Sequence, residues 1–512
     1  MKNRSIVRDT FWIYIASIFA GILGYLLRIL YARSLSVTDY GTFYAIYAFF
    51  SLLGLLRDLG LGEATVFHGI KYFVKKKYSS MRAVLFYNQA IQTGMGILLA
   101  FILFILRGQI VPFFFRGNPN AELMFTVMLI LFIAITVFAS YTTFPRIFGN
   151  YLLSGIGSSI NMFTILTTSF VLFQLYPSSP LVPCLAYIFG YSVLSGVYAW
   201  IIARKHPYVK GKPSLRKNIV RDMFLYGLPV LVTSIGIIIF STTDTLLLSI
   251  LKNPIEVARY QVAKPLMTII TSFIGPLSLV LFPIIAHAWH KKRVGEARRY
   301  MGLGLVFILL ITIPIAILLA VFPSQVVTLL FGEKYASAAP ILSILAVSGI
   351  AMGIFSVLMQ VFVGFGMVKE RAKIFYTGAI TNIIIDLALI PILGGVGAAI
   401  GTLISLIVIT IISLLLIHKR IGIPSFTIFR GIPIIISGIL ATIPLIFIRI
   451  LHISLYLKLI LGGVVFISLY IALVLLFRAI RISEVIFIAK QISHGTPLEK
   501  GIDKLLDLWR FK

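Results

Sequence analysis

Acidic residues are scarce in this 512-residue chain, with 16 Asp and Glu against 45 Lys and Arg, and charge of either sign makes up only 12% of it. That is about half of what a soluble domain carries, so a water-soluble enzyme is excluded. The single cysteine, Cys184, leaves nothing from which to build a disulfide framework, a Cys-rich zinc site or an iron–sulfur cluster. Of the seven histidines no two share a helix face at metal-ligand spacing, and only His287 and His290 stand near each other. No metal site is expected. A GxSxG elbow, a P-loop and an acidic cluster in an outer loop are also missing, so hydrolase, pump and glycosyltransferase chemistry lack their parts. Neither a cofactor nor an enzymatic activity is expected. The net charge of +29 would suggest nucleic-acid binding in a soluble protein, but here the apolar segments are too long and too clean.

Apolar residues are what the chain has in excess, 59% of it. A bilayer core of about 30 Å takes roughly 20 apolar residues in one helix, because each backbone polar group must find its partner inside the segment. Fourteen segments meet that measure, at about 11–31, 42–62, 83–106, 121–141, 152–175, 181–203, 226–250, 263–286, 302–322, 338–363, 374–393, 395–417, 431–449 and 457–477. The first has a signal-peptide-like core, yet its length and Arg28 mark it as an uncleaved span. Cytoplasmic loops are enriched in Lys and Arg. With the N-terminus inside, 34 of the 45 basic residues fall in the loops and tail of that side. Both termini are therefore expected in the cytoplasm, in a multi-pass protein of the cell (cytoplasmic) membrane. Most of the charge excess lies against an anionic leaflet, and membrane lipids rather than nucleic acid are its expected partners.

No loop is long enough for a soluble domain, so the work must be done within or between helices. Shifting the chain by 217 positions lays Asp39 to Phe43 on Glu256 to Tyr260, Phe114 on Phe331 and Ala121 on Ala338. Asn161 and Asn382 hold similar places in spans 5 and 11. Spans 1–6 and 7–12 thus read as two parallel six-helix repeats, an N-terminal lobe of residues 1–205 and a C-terminal lobe of 206–420, with two extra spans over 421–480. A chance likeness between apolar helices is the alternative. In the tail, residues 481–512, Leu498, Ile502, Leu505, Leu506 and Trp509 recur at helical spacing among charged residues. That pattern is an amphipathic helix on the membrane surface or a tail packed on a lobe.

Charges inside a bilayer cost several kcal/mol and usually face a cavity or a partner. Within or at the rims of the spans stand Arg28, Arg57, Asp58, Asp244, Lys264 and Asp386. Ser17, Gly21, Gly24 and Arg28 are spaced by 4, 3 and 4, which puts one guanidinium on a stripe of small residues expected to face the interior; alternatively Arg28 snorkels to the interface. On span 2, Ser51, Gly54, Asp58 and Gly62 form a comparable face. Arg57 is one residue around the helix, so Arg57 and Asp58 look for partners on other helices, an interhelical ion pair among the options. On span 7, Thr233, Gly236, Phe240 and Asp244 share a face. Asp244 there either carries a proton or cation or holds an arginine in position. Lys264, next to Pro265, adds to a cationic rim or is simply solvated. Asn382 and Asp386, at i and i+4 on span 11, can form a cation site or a helix–helix hydrogen bond.

The run Leu330-Phe331-Gly332-Glu333-Lys334-Tyr335 with Ala338-Ala339-Pro340, and further on Asn382, Leu389-Ile390-Pro391, Gly394 and Gly397 to Thr402, resembles the polysaccharide-biosynthesis flippases, the Wzx-like branch of the MOP exporter superfamily. Arg33-Ser34-Leu35 with Asp39-Tyr40-Gly41, then Asp58-Leu59-Gly60-Leu61, is similar to that family's opening motif. The resemblance implies an all-α polytopic membrane protein of fourteen transmembrane helices, arranged as a two-lobed, V-shaped transporter plus two C-terminal helices, with a cavity framed by spans 1, 2, 7 and 8. It implies a flippase that moves a lipid-linked oligosaccharide or polysaccharide repeat unit by alternating access. Arg28, Arg57 and Lys264 lie in the matching spans as phosphate contacts, and Asp58 and Asp244 as a coupling or ion-pair set. Glycan-assembly enzymes are candidate partners. A cation-coupled multidrug exporter of the MATE type shares the expected fold and is the competing expectation.

Overall fold

The computed structural model describes residues 2–272, 284–451 and 453–480. Its regular elements are all helical, with no strand among the described residues. Among the described residues thirteen helices are long and apolar enough to cross a membrane, matching thirteen of the fourteen expected spans. The remaining one, at about 263–286, runs into residues outside the described set, as does the expected amphipathic tail.

The chain packs as two compact units, residues 9–258 and residues 259–512 together with 1–8. The first contains most of α1 (Lys2–Ser34), then α2 (Val37–Asp58), α3 (Leu61–Val74), α4 (Tyr78–Phe114), α5 (Ala121–Ile147), α6 (Tyr151–Leu175), α7 (Val182–Lys205) and α8 (Lys217–Leu251). Within it α2 packs on α5 and α8, α4 on α5, and α7 on both α5 and α6. Burial is concentrated on α2: 67% of its most apolar stretch is covered, against 11% for α1. α2 is therefore the core helix of this unit, and the long apolar faces of α4 and α8 are left to the hydrocarbon. α8 rests on α2, α3 and α4.

Span 2 is expected to run on to residue 62, but α2 stops at Asp58. Leu59 and Gly60 both take left-handed backbone, with φ of 49° and 73°. A Cβ on Gly60 would stand 2.0 Å from the Gly227 carbonyl oxygen, so the turn needs glycine both for its φ and for the approach of α8. α3 leaves this break to pack on α4, α5 and α8.

The second unit begins in α9 (Pro254–Ser272) and continues with α10 (Val294–Val321), α11 (Pro323–Phe331), α12 (Ala339–Gly364), α13 (Val368–Leu393), α14 (Gly395–Ile421), α15 (Ser425–Ile450) and α16 (Leu455–Leu476). α12 packs on α10 and α14, α13 on α14, and α15 on α10 and α16. Val306, Ile313, Phe322, Ile434, Leu445 and Phe466 form a buried cluster joining the two extra spans to α10.

Candidate functional site

The first unit holds α2 rigidly at its start. Ser36 accepts a hydrogen bond from the Asp39 amide at 3.0 Å and donates to Asp39 Oδ2 at 2.6 Å. The other carboxylate oxygen accepts from Asn118 Nδ2 at 2.9 Å and Asn120 Nδ2 at 3.1 Å. Asn118 Nδ2 also donates to Thr42 Oγ1 at 2.9 Å. A buried acid surrounded by donors is a capping device, since its oxygens are already taken.

From that anchored end α2 carries Tyr40, Tyr44 and Tyr47 at helical spacing, and α7 supplies Tyr187 and Tyr191. The rings form a continuous chain: Tyr40 to Tyr44 at 4.8 Å, Tyr44 to Phe43 at 5.1 Å, Phe43 to Tyr187 at 5.7 Å, Tyr187 to Tyr47 at 5.5 Å and Tyr187 to Tyr191 at 6.3 Å. Arg28 of α1 places its guanidinium 4.4 Å from the centre of the Tyr44 ring, with the Tyr40 and Tyr187 phenols also in its electrostatic environment. Below it Tyr31, fully buried, shares a hydrogen bond with Ser169 of α6 at 2.8 Å. The small-residue stripe expected to face the interior does so only in part: Ser17 and Gly21 are exposed, and Gly24 meets Met162 Sδ.

The other end of the tyrosine chain opens on a cavity of about 220 Å³ lined by Tyr47, Phe50, Ser51, Gly54 and Arg57 of α2, by Met128, Leu131, Phe132 and Ile135 of α5, and by Tyr191 of α7. Arg57 is the charged member of that lining. It is 9% exposed, its Cζ stands 5.9 Å from the centroid of the Phe132 ring, and the Asp58 carboxylate and Tyr191 phenol lie in its electrostatic environment. Its Nε has no hydrogen-bond partner, and it forms no ion pair with any described residue. The expected carboxylate partner does not appear. Asp58 turns instead to α4: its Oδ1 accepts from Gln92 Nε2 at 3.0 Å and from the Gly62 amide at 3.2 Å. Gln92 in turn donates to Asn88 Oδ1 at 2.9 Å. An amide on a neighbouring helix has satisfied the acid and left the guanidinium directed at the cavity.

The remaining expected residues are separate from this pocket's lining. Asp244, 1% exposed, is buried on α8. Elsewhere on α8, Thr233 donates to the Val230 carbonyl at 2.7 Å and Ser241 to that of Ile238 at 3.0 Å. In the second unit, Lys264 stands over the Tyr260 ring at 5.2 Å, and the Tyr260 hydroxyl shares a hydrogen bond with Thr402 at 3.1 Å. Asn382 and Asp386 are buried and face α14 where it has Gly401; a Cβ there would lie 2.0 Å from Asp386 Oδ1. Among the described residues no cluster of His, Cys, Asp and Glu has the geometry of a metal site.

Two rows of tyrosine with Arg28 at one end and Arg57 at the other make up the polar interior of the first unit of a multi-pass membrane protein. The family model described as polysaccharide biosynthesis protein matches residues 6–289, and the chain belongs to that family. A MatE model matches residues 229–388. Over 493 residues, 94% of this chain and 97% of the relative, it is 29% identical to an uncharacterized membrane protein of Methanocaldococcus jannaschii. It is 23% identical to the probable low-salt glycan biosynthesis flippase Agl15 of Haloferax volcanii, over 80% of this chain and 82% of that one. Among solved structures the fold is similar to the lipid II flippase MurJ in an inward closed conformation, with a TM-score of 0.74 at 16% identity, covering 91% of this chain and 98% of that one. An inward-facing multidrug resistance MATE transporter follows at a TM-score of 0.68 and 15% identity, covering 78% and 94%.

Proposed function

We propose that the chain is a flippase that carries a lipid-linked oligosaccharide or polysaccharide repeat unit across the cytoplasmic membrane by alternating access, with both termini in the cytoplasm. The observation that carries this reading is Arg57, a buried guanidinium whose Nε has no hydrogen-bond partner and whose neighbour Asp58 is bonded to Gln92 instead, facing a cavity partly walled by tyrosine. A buried charge is expensive unless compensated, so such a residue is kept for a ligand that brings the opposite charge. Phosphate suits it, because the planar fork of a guanidinium matches two phosphate oxygens and the contact strengthens away from water. Arg28, over Tyr44, is the second phosphate contact on this reading, and Lys264 is a third. Asp58 and Asp244 form the candidate coupling set, and glycan-assembly enzymes are the partners such a substrate requires. The lipid tail remains in the bilayer while the headgroup moves.

The test is translocation of a labelled lipid-linked glycan in proteoliposomes. Loss of transport in the double variant Arg28→Ala with Arg57→Ala supports the reading, and unchanged transport refutes the phosphate contacts. Export of cationic drugs is the second reading, favoured by the MatE match over residues 229–388. Drug resistance conferred by the chain and lost on Asp244→Asn is the result that would establish it.

A further inference from the structure

We infer that the cavity beside Arg57 is a sugar subsite that takes one anionic pyranose, with Tyr47 and Tyr191 as its ring contacts. The inference deepens the flippase reading and rests on it. Three observations converge. The cavity measures about 220 Å³, below the roughly 300–1,000 Å³ of a site for a drug-sized ligand, so it fits a single ring and not an oligosaccharide. Its walls combine two phenol rings from different helices, joined through Tyr187 at 5.5 and 6.3 Å. A sugar ring has apolar C–H faces and a polar rim, and an amphipathic aromatic side chain meets both. Finally, Arg57 supplies a cation whose Nε is left without a partner, at the position where the ring's anionic substituent would lie.

The apolar remainder of the lining argues against an inorganic anion as the occupant. Phe50, Met128, Leu131 and Phe132 are each buried and offer a small hydrated ion nothing. A ring with one charged corner uses both parts of the pocket. The anion is an oxyanion from one of two sources, the lipid phosphate on the anomeric carbon or a carboxylate on the ring itself. On this inference Arg57 binds the anion and the two tyrosines decide whether a sugar is attached.

Binding to purified protein in detergent tests this, with two probes: a polyprenyl phosphate and the same lipid carrying one hexose. Tyr47→Ala and Tyr191→Ala are expected to weaken the hexose-bearing lipid roughly tenfold and to leave the bare lipid phosphate unchanged. Tyr47→Phe and Tyr191→Phe keep the ring and are expected to retain most of the binding, which also separates a lost contact from a lost fold. Arg57→Gln is expected to weaken both lipids. Competition by a free methyl uronoside, absent with the neutral methyl hexoside, identifies the ring carboxylate as the anion; failure of the uronoside to compete identifies the lipid phosphate. Equal losses for both lipids in the Tyr→Ala variants, or no loss in either, would overturn the sugar subsite. If the wild-type protein binds neither lipid, it is the flippase reading that fails.

Discussion

Replacing Arg57 with Met should make the ligand-free protein more stable and at the same time unable to recognise its ligand. Arg57 is 9% exposed and forms no ion pair with a described residue, its neighbour Asp58 accepting from Gln92 and Gly62. A charged side chain within a transmembrane helix costs about 2.5–3.5 kcal/mol on insertion scales. Its contact with the Phe132 ring, at 5.9 Å, returns about 0.5–1 kcal/mol. Methionine has a similar unbranched reach and packs well against Phe50, Met128 and Phe132, so the substitution should stabilise by about 1–3 kcal/mol. At about 2–4 °C per kcal/mol for a unit of this size, the melting temperature in detergent should rise by several degrees. The control is Arg146→Met. Arg146 binds Glu63 at 2.8 Å with the side chains 33% and 52% exposed, and a pair so open to solvent contributes about 0–1 kcal/mol, so little should change. In the wild type, a saturating polyprenyl phosphate should add about 2.7 kcal/mol at a hundred times its Kd; in Arg57→Met that shift should vanish. A lower melting temperature for Arg57→Met together with an undiminished lipid shift would refute the reasoning, because it would make Arg57 a structural residue.

Other consequences follow from the same unit. Gly60→Ala must hold alanine at a φ of 73°, which costs about 1–2 kcal/mol, and bring a Cβ to 2.0 Å from the Gly227 carbonyl. It should lower the melting temperature more than Gly227→Ala, whose Cβ would stand 3.1 Å from the Gly60 backbone; the reverse order would disprove the close approach of α2 and α8. Asn118→Ala removes one donor from the buried Asp39 carboxylate and should cost about 1–3 kcal/mol, measurable by denaturation. His68, 6% exposed between Phe67 and Tyr226, is held below the ordinary histidine range, first by burial and then by Lys71, with Asp222 opposing. Its neutral form is the folded form. Stability should be complete above a pH of about 6.5, the unfolded value, and fall as the pH drops through that value toward the lower folded pKa. In His68→Phe that dependence should flatten, and an identical pH profile in the variant would remove His68 as its source.

The membrane spans are legible in the sequence because a run of roughly 20 apolar residues leaves a helix few alternatives in a bilayer. The rare charges within them are legible for the same energetic reason, and Arg28 and Arg57 both stand beside aromatic rings. What sequence reading misses is mostly what depends on distant residues. Tyr40, Tyr44 and Tyr47 recur at helical spacing, yet on their own they read as an interfacial belt. Only α7, some 140 positions on, makes them one side of a tyrosine-lined site. Asp58 finds Gln92, an uncharged residue on α4 that no search for charge pairs would single out. The Leu59-Gly60 turn is hidden inside an apolar run because its cause is the approach of Gly227. The glycines of α1 mislead in the opposite sense: small residues permit close packing but do not compel it, and a Cβ added at Gly21 would meet no neighbouring atom within 4 Å.

One fold hosts both glycan flippases and multidrug exporters, so shape cannot choose between them and the sign of the site must. A carrier of cationic drugs needs a carboxylate that is buried, accessible to the ligand and not already bonded. Of the first unit's buried acids, Asp39 is capped by Ser36, Asn118 and Asn120, Asp58 accepts from Gln92 and Gly62, and Asp244 lies on α8 outside the lining of the Arg57 cavity. The charge left facing a cavity is Arg57. Reversing that polarity would require breaking two amide hydrogen bonds to expose an acid while burying a guanidinium that has no anion to meet. Filling the cavity with an anion reverses nothing and gives the buried Arg57 Nε, which has no hydrogen-bond partner, an acceptor, so on the proposed reading the pocket takes a phosphorylated or acidic sugar rather than a cation.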